Sequence, residues 1–141
     1  MWWMWTGVGA SAAVALWWWL RRVIVVVAVR GPSMEPSFPD GSTVLVRRAG
    51  SARPGQVVVL APAEQGPPTG RPGRLWLIKR VAAVAGDTVG AGCGPALRQG
   101  EPVPDRHLVV LGDNASESVD SREEGFVPVE RLRGIVLARI S

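Results

Sequence analysis

Lys79 is the only lysine among 141 residues, and its neighbours make it a candidate for proton transfer. It stands in Leu75-Trp76-Leu77-Ile78-Lys79-Arg80-Val81, a run whose composition predicts a strand. Side chains alternate between the faces of a strand. Leu75, Leu77, Lys79 and Val81 therefore share one face, and Trp76, Ile78 and Arg80 the other. A lysine held among aliphatic residues loses hydration, which disfavours the ammonium and lowers its pKa. That is the state a lysine needs to act as a general base near neutral pH. The competing reading is a lysine that snorkels out from a strand end, and on this strand alone it is the stronger one.

A base needs a nucleophile, and Ser33 is the candidate. It lies in Gly31-Pro32-Ser33-Met34-Glu35-Pro36-Ser37-Phe38, between prolines that bias their neighbours to turn or extended backbone. Ser33 should sit in a stiff loop, although a loop serine is not a nucleophile by position alone. A third segment gathers hydroxyls and opposite charges: Gly112-Asp113-Asn114, then Ser118-Val119-Asp120-Ser121-Arg122. A solvated charged loop is the alternative there. His107 is the only histidine, in the turn-like Pro104-Asp105-Arg106-His107, and reads as a surface residue. A Ser-His-Asp triad must use it or be absent. The single cysteine, Cys93, rules out an intrachain disulfide, a CxxC site and a zinc site of several thiolates. No cofactor or metal is expected.

The elements that must position these residues read as short strands. Val23-Ile24-Val25-Val26-Val27-Ala28-Val29 has six β-branched residues in seven, which favours a buried strand over a helix. Further strands are predicted at Thr43–Val46, Gln56–Leu60, Leu75–Val84, His107–Leu111 and Leu132–Ile140, with turns at Pro39-Asp40-Gly41-Ser42, Arg53-Pro54-Gly55 and Ala85-Gly86-Asp87. A Pro/Gly-rich loop is expected at roughly 61 to 74. This spacing predicts a mostly β fold, a small barrel, with no helix required beyond the N-terminal stretch.

That stretch is unlike the rest. Residues 2 to 20 carry no charged side chain and hold six of the seven tryptophans, at 2, 3, 5, 17, 18 and 19. Such placement resembles the interfacial tryptophan belts of membrane segments. Nineteen helical residues span roughly 28 Å, close to the hydrocarbon thickness. The expectation is a single membrane-spanning helix within an anchor at 1–22, followed by one domain at 23–141. A cleaved signal peptide fits less well, since no basic region precedes the apolar stretch and tryptophans occupy the place of a small-residue cleavage site. The formal charge of +4 admits nucleic acid or an anionic surface as partner. The arginines are scattered, with no Arg/Lys run longer than two, so nucleic-acid binding is not expected.

Taken in order, four motifs resemble the type I signal peptidases. They are Gly31-Pro32-Ser33-Met34-Glu35-Pro36; Lys79-Arg80-Val81 with Ala85-Gly86-Asp87-Thr88-Val89; Gly112-Asp113-Asn114 with Ser118-Val119-Asp120-Ser121-Arg122; and Gly125-Phe126-Val127-Pro128. Each is weak alone, and the resemblance covers residues 23 to about 139. It implies the compact, barrel-like β domain shared by signal peptidases and LexA-type self-cleaving regulators. It also implies a Ser/Lys dyad, with Ser33 attacking the scissile carbonyl and Lys79 taking its proton. By position, Ser118 is the hydroxyl that orients the lysine. The Ser33 backbone N–H would hold the oxyanion, with Gly31 where some members carry a second hydroxyl. Met34 corresponds to a residue packed beside the cleavage site. Asp113, Asp120 and Arg122 become an ion-paired scaffold, with Arg80 as a partner.

The implied substrates are exported precursor proteins cut after small residues, typically Ala-X-Ala, at a lipid bilayer and without an obligate protein partner. Twelve residues from Arg21 to Pro32 reach at most roughly 40 Å, which keeps Ser33 near the membrane. The resemblance implies a cell-membrane protein with its catalytic domain outside. Yet Arg21, Arg22 and Arg30 follow the apolar stretch and no basic residue precedes it. The positive-inside rule would put the domain in the cytoplasm, unless a further N-terminal segment exists. Compact relatives that trim the leader of nickel superoxide dismutase inside the cell offer another role. A LexA-type regulator would need a DNA-binding module where the apolar stretch stands. A membrane-anchored β binding domain without catalysis is the remaining alternative.

Overall fold

The β-branched runs become strands, and the strands form one antiparallel sheet. In the computed structural model, residues 3–63 and 76–141 are described. Leu75 and most of the Pro/Gly-rich stretch at 61–74 lie outside them. Helix α1 (Trp3–Val23) leads into β1 (Ile24–Ala28), followed by β2 (Thr43–Arg48), β3 (Val57–Leu60), β4 (Leu77–Val84), β5 (His107–Leu111), the short helix α2 (Ser121–Glu124), β6 (Val127–Pro128) and β7 (Leu132–Arg139). The strand order is β1-β2-β7-β3-β4-β5-β6.

Two expectations about this sheet need correction. It does not close into a hydrogen-bonded barrel among the described residues, since β1 and β6 remain edges. Instead it curls, helped by register shifts at Leu45/Val46, Val59/Leu60 and Val81/Ala83, because an extra residue on one strand bends it and increases its twist. A helix beyond the N-terminal one also forms, the single turn α2. Asp120 caps it by accepting from the Arg122 N–H, and the Glu123 side chain returns a bond to the Asp120 N–H. This reciprocal capping box sustains a helix too short to show apolar periodicity.

The N-terminal stretch does become helical, but the membrane-spanning helix expected there is not supported. Among the described residues no helix is long and apolar enough to cross a membrane. Five tryptophans and the Gly, Ser and Thr residues dilute its apolar character, and Arg21-Arg22 fall within its last turn. The indole N–H makes tryptophan a residue of the membrane interface rather than of the hydrocarbon. Near the helix end the Arg22 guanidinium lies 4.8 Å from the Trp18 ring centre, a cation–π contact one turn apart.

Curling gives the sheet two buried surfaces. Val27, Val29, Met34, Val44, Val46, Val57, Val59 and Ile78 form one cluster. Val58, Leu60, Val81, Leu108, Val110, Val127, Leu132 and Ile135 form another. The central strand β3 contributes alternate residues to each and is buried along its length. The expected alternation of β4 follows from this: Ile78, with Trp76 packed against it, belongs to the first cluster, and Val81, with Leu77, to the second. A third cluster under the loop between β4 and β5 contains Ala83, Val89, Cys93, Leu97, Val103 and Val109.

Candidate active site

Among the described residues, the lysine of β4 is buried without an ion pair at contact distance. Lys79 is 4% exposed, and its register partner on β3 is the fully buried Val58. Loss of hydration holds its pKa below the ordinary 10.5, outweighing the opposing pull of Asp120, Glu124 and Glu123. Its Nζ donates to the Ser118 Oγ at 2.6 Å. The Ser118 hydroxyl donates in turn to the Asp120 Oδ2 at 2.8 Å. With that proton committed to the carboxylate, a Ser118 lone pair faces the amine. The amine is therefore oriented by a neutral acceptor rather than by a charge.

Asp120 is 2% exposed and serves as an anchor for several groups at once. Its Oδ2 also accepts from the Gly112 N–H at 2.7 Å and lies 3.2 Å from the Arg122 guanidinium. Its Oδ1 accepts from the Arg122 N–H at 3.0 Å as the cap of α2. The Arg122 guanidinium also reaches the Gly112 carbonyl at 3.2 Å. The donors gathered around this buried carboxylate offset the cost of removing it from water. Ser121, fully buried beside it, accepts from the Val110 N–H at 2.9 Å and ties α2 to β5.

Ser33 lies in a 3-10 turn, Pro32–Met34, entered through Gly31 at a φ of 89°. Only glycine adopts that backbone without strain, and the Gly31 N–H is held by the Asp40 Oδ1 at 2.8 Å. Met34 is fully buried in the first cluster and pins the turn from below. The turn packs on β4, the strand of Lys79. Its carbonyls are held by Asn114: the Asn114 N–H donates to the Ser33 oxygen at 2.9 Å and the side-chain amide to the Pro32 oxygen at 3.1 Å.

Gly112 is where the pieces meet. A Cβ there would lie 2.1 Å from the Ser118 Oγ and 2.7 Å from the Ser33 carbonyl oxygen. The turn of Ser33 and the hydroxyl partner of Lys79 thus close on the same glycine from two sides.

The remaining charges form a separate pair. Arg80, on the opposite face of β4 from Lys79, makes a two-pronged contact to Asp113 at 2.9 and 2.7 Å and reaches the Gly55 carbonyl at 3.0 Å. Its hydrogen bonds, with help from Ser37, hold the Asp113 carboxyl below its ordinary range. Arg80 thus pairs with Asp113, and Arg122 with Asp120. His107 stands apart, its ring against Phe126 and its Nδ1 beside the Asp105 carbonyl. Cys93 is buried in the third cluster. Sequence reasoning named Gly112, Asn114 and Ser121 within the motifs but gave them no role, and it missed the capping role of Asp120. The Asp120…Glu123 spacing was the available signal for the last of these.

The family model described as signal peptidase, peptidase S26, matches residues 2–94 and 94–140. A probable signal peptidase I-1 of Synechocystis sp. is 30% identical over 129 residues, covering 76% of this chain and 66% of that protein. Mitochondrial inner membrane protease subunit 1 of Xenopus tropicalis is 32% identical over 119 residues, covering 81% of this chain and 67% of the relative. The mitochondrial ATP-independent inner membrane protease subunit 1b of Arabidopsis thaliana is 36% identical over 118 residues, covering 78% and 66%. The chain spans about two thirds of the length of these relatives. With the match running through both the Ser33 turn and the Lys79 strand, the chain belongs to the signal peptidase family, peptidase S26.

Proposed function

We propose that the chain is a serine endopeptidase that removes N-terminal signal peptides from exported precursors, cutting after small residues. Ser33 is the nucleophile and Lys79 the general base. The observation that carries this reading is the relay from Lys79 through Ser118 to Asp120, set beside the turn of Ser33. One amine N–H is spent on Ser118, and burial favours the neutral form. A lone pair is then available to take the Ser33 proton as its oxygen attacks the scissile carbonyl. The same amine, once protonated, returns a proton to the leaving nitrogen. The Ser33 N–H, fixed in the 3-10 turn, stabilises the oxyanion.

Two features of the chain suit a substrate held at a bilayer. Exposed Leu16, Trp17, Trp18, Trp19 and Leu20 on α1 offer a surface that favours the membrane interface. The helix also runs directly into β1, which ends just before the Ser33 turn. On this reading the catalytic face works outside the cytoplasm, and a C-terminal tag should be digestible on intact cells.

The direct test is cleavage of a precursor with an Ala-X-Ala junction by the purified chain in micelles. Mass mapping should find one cut, after the second alanine. A nickel superoxide dismutase leader cut in its place would redirect the reading to cytoplasmic maturation, and no cut in either would remove it.

A further inference from the structure

A polar cavity is lined by none of the residues of the Ser33 turn, and most of its lining residues carry hydrogen-bond donors. It has a volume of about 290 Å³ and is lined by Arg47, Ser51, Arg53, Gln56, Ala52 and Ile135. The amide of Gln56 is oriented, because its Oε1 accepts from the Arg53 N–H at 2.8 Å. With the oxygen so engaged, the NH2 group is the amide's donor. Ser51 contributes a hydroxyl that can donate. Among the described residues neither Arg47 nor Arg53 has a carboxylate partner. Two guanidinium groups, an amide NH2 and a hydroxyl around one space form the donor set that a phosphate oxyanion requires.

Topology tells which phosphate. Arg47 pairs in register with Ile24, the residue that follows the last residue of α1. Arg47 therefore brings the cavity to the end of the sheet from which α1 leaves. We infer that Arg47, Ser51, Arg53 and Gln56 form a binding site for the phosphate of an anionic lipid headgroup, engaged when α1 lies on the bilayer. The inference rests on the membrane contact of α1 proposed above. It adds a recognition element for lipid charge, which the tryptophans of α1 cannot provide.

Co-sedimentation of the full chain with vesicles tests this at constant ionic strength. Phosphatidylcholine vesicles report the contact of α1 alone, and an equal mixture with phosphatidylglycerol reports the added headgroup affinity. The wild-type chain should bind the mixed vesicles roughly tenfold or more tightly. Arg47→Gln with Arg53→Gln should abolish that gain and leave binding to the neutral vesicles unchanged. Arg48→Gln with Arg133→Gln, which removes the same charge from nearby exposed positions, should preserve most of it. Equal loss in both pairs would mean diffuse surface charge and would overturn the site, as would persistence of the gain without Arg47 and Arg53. A melting-temperature rise with inorganic phosphate, seen in wild type but not in the Arg47/Arg53 variant, without any vesicle gain, would assign the cavity to free phosphate and overturn the headgroup assignment. Failure to bind neutral vesicles would instead remove the membrane reading of α1.

Discussion

The carbonyl oxygen of Ser33 accepts the backbone N–H of Asn114 at 2.9 Å. This one bond ties the turn that carries the proposed nucleophile to the segment that carries the partner of the proposed base. Gly112, two residues before Asn114, donates its N–H to Asp120, and Asp120 holds the hydroxyl that receives Lys79. The geometry of the site is thus a property of the loop from Gly112 to Arg122, whose residues are held by one buried carboxylate.

Ser118→Ala removes the acceptor that orients Lys79 while leaving the Ser33 turn in place. Misplacing a reacting group by about 1 Å can cost roughly a hundredfold in rate. We expect kcat to fall by about tenfold to a hundredfold with KM little changed, and Ser118→Thr to restore part of the loss. Steady-state kinetics with one peptide substrate checks this. An unchanged kcat would reduce Ser118 to a structural residue.

Gly112→Ala places a methyl group against both the Ser118 Oγ and the Ser33 carbonyl. Neither is the loose end of a long side chain, so the loop must shift. Overpacking of this kind costs about 1–3 kcal/mol. Urea denaturation should show that loss, together with a drop in kcat larger than any rise in KM.

Lys79→Arg keeps a long basic side chain but supplies a group that does not deprotonate usefully. Turnover per folded molecule should fall at least about a hundredfold. In the wild-type chain, kcat/KM should rise with pH as Lys79 loses its proton. The midpoint of that limb should lie below the ordinary lysine value of 10.5 because burial disfavours the ammonium. A near-wild-type rate in the arginine variant would exclude Lys79 as the base.

Arg80 and Asp113 should make a pH-dependent contribution to stability. The Asp113 carboxyl titrates below its ordinary 3.8, chiefly through its hydrogen bonds to Arg80. A depressed carboxylate stabilises the fold fully above its unfolded pKa, and that contribution is lost as pH falls through the lower native value. Asp113→Asn should therefore be less stable than wild type at neutral pH, with the gap closing in acid. Both side chains keep some solvent exposure, so the effect should be modest. Denaturant midpoints across pH measure it.

How much of this was legible in the sequence differs by element. Residues 57–60 announced themselves by β-branched composition and 132–139 by the apolar run Ile135-Val136-Leu137, and they became β3 and β7. The alternation around Lys79 was also readable, since a strand has only two faces and Ile78 and Val81 fall in different clusters. The span of α1 was misjudged because tryptophan counts as bulky and apolar by eye while its indole N–H favours the interface. Helix α2 escaped because one turn carries no periodicity, although Asp120 and Glu123 stood at capping-box spacing. Gly112 could not be weighed beforehand: its importance comes from Ser33 and Ser118 converging on it, a contact that exists only in the folded chain.

The central claim is that Ser33 forms the covalent bond to substrate, and its removal is the most direct test. Ser33→Ala should keep the wild-type melting curve, because Ser33 enters the network described here through its carbonyl. Mass mapping of an Ala-X-Ala precursor incubated with this variant should show no cut at the junction used by wild type. Cleavage of the same bond at a comparable rate would contradict the account.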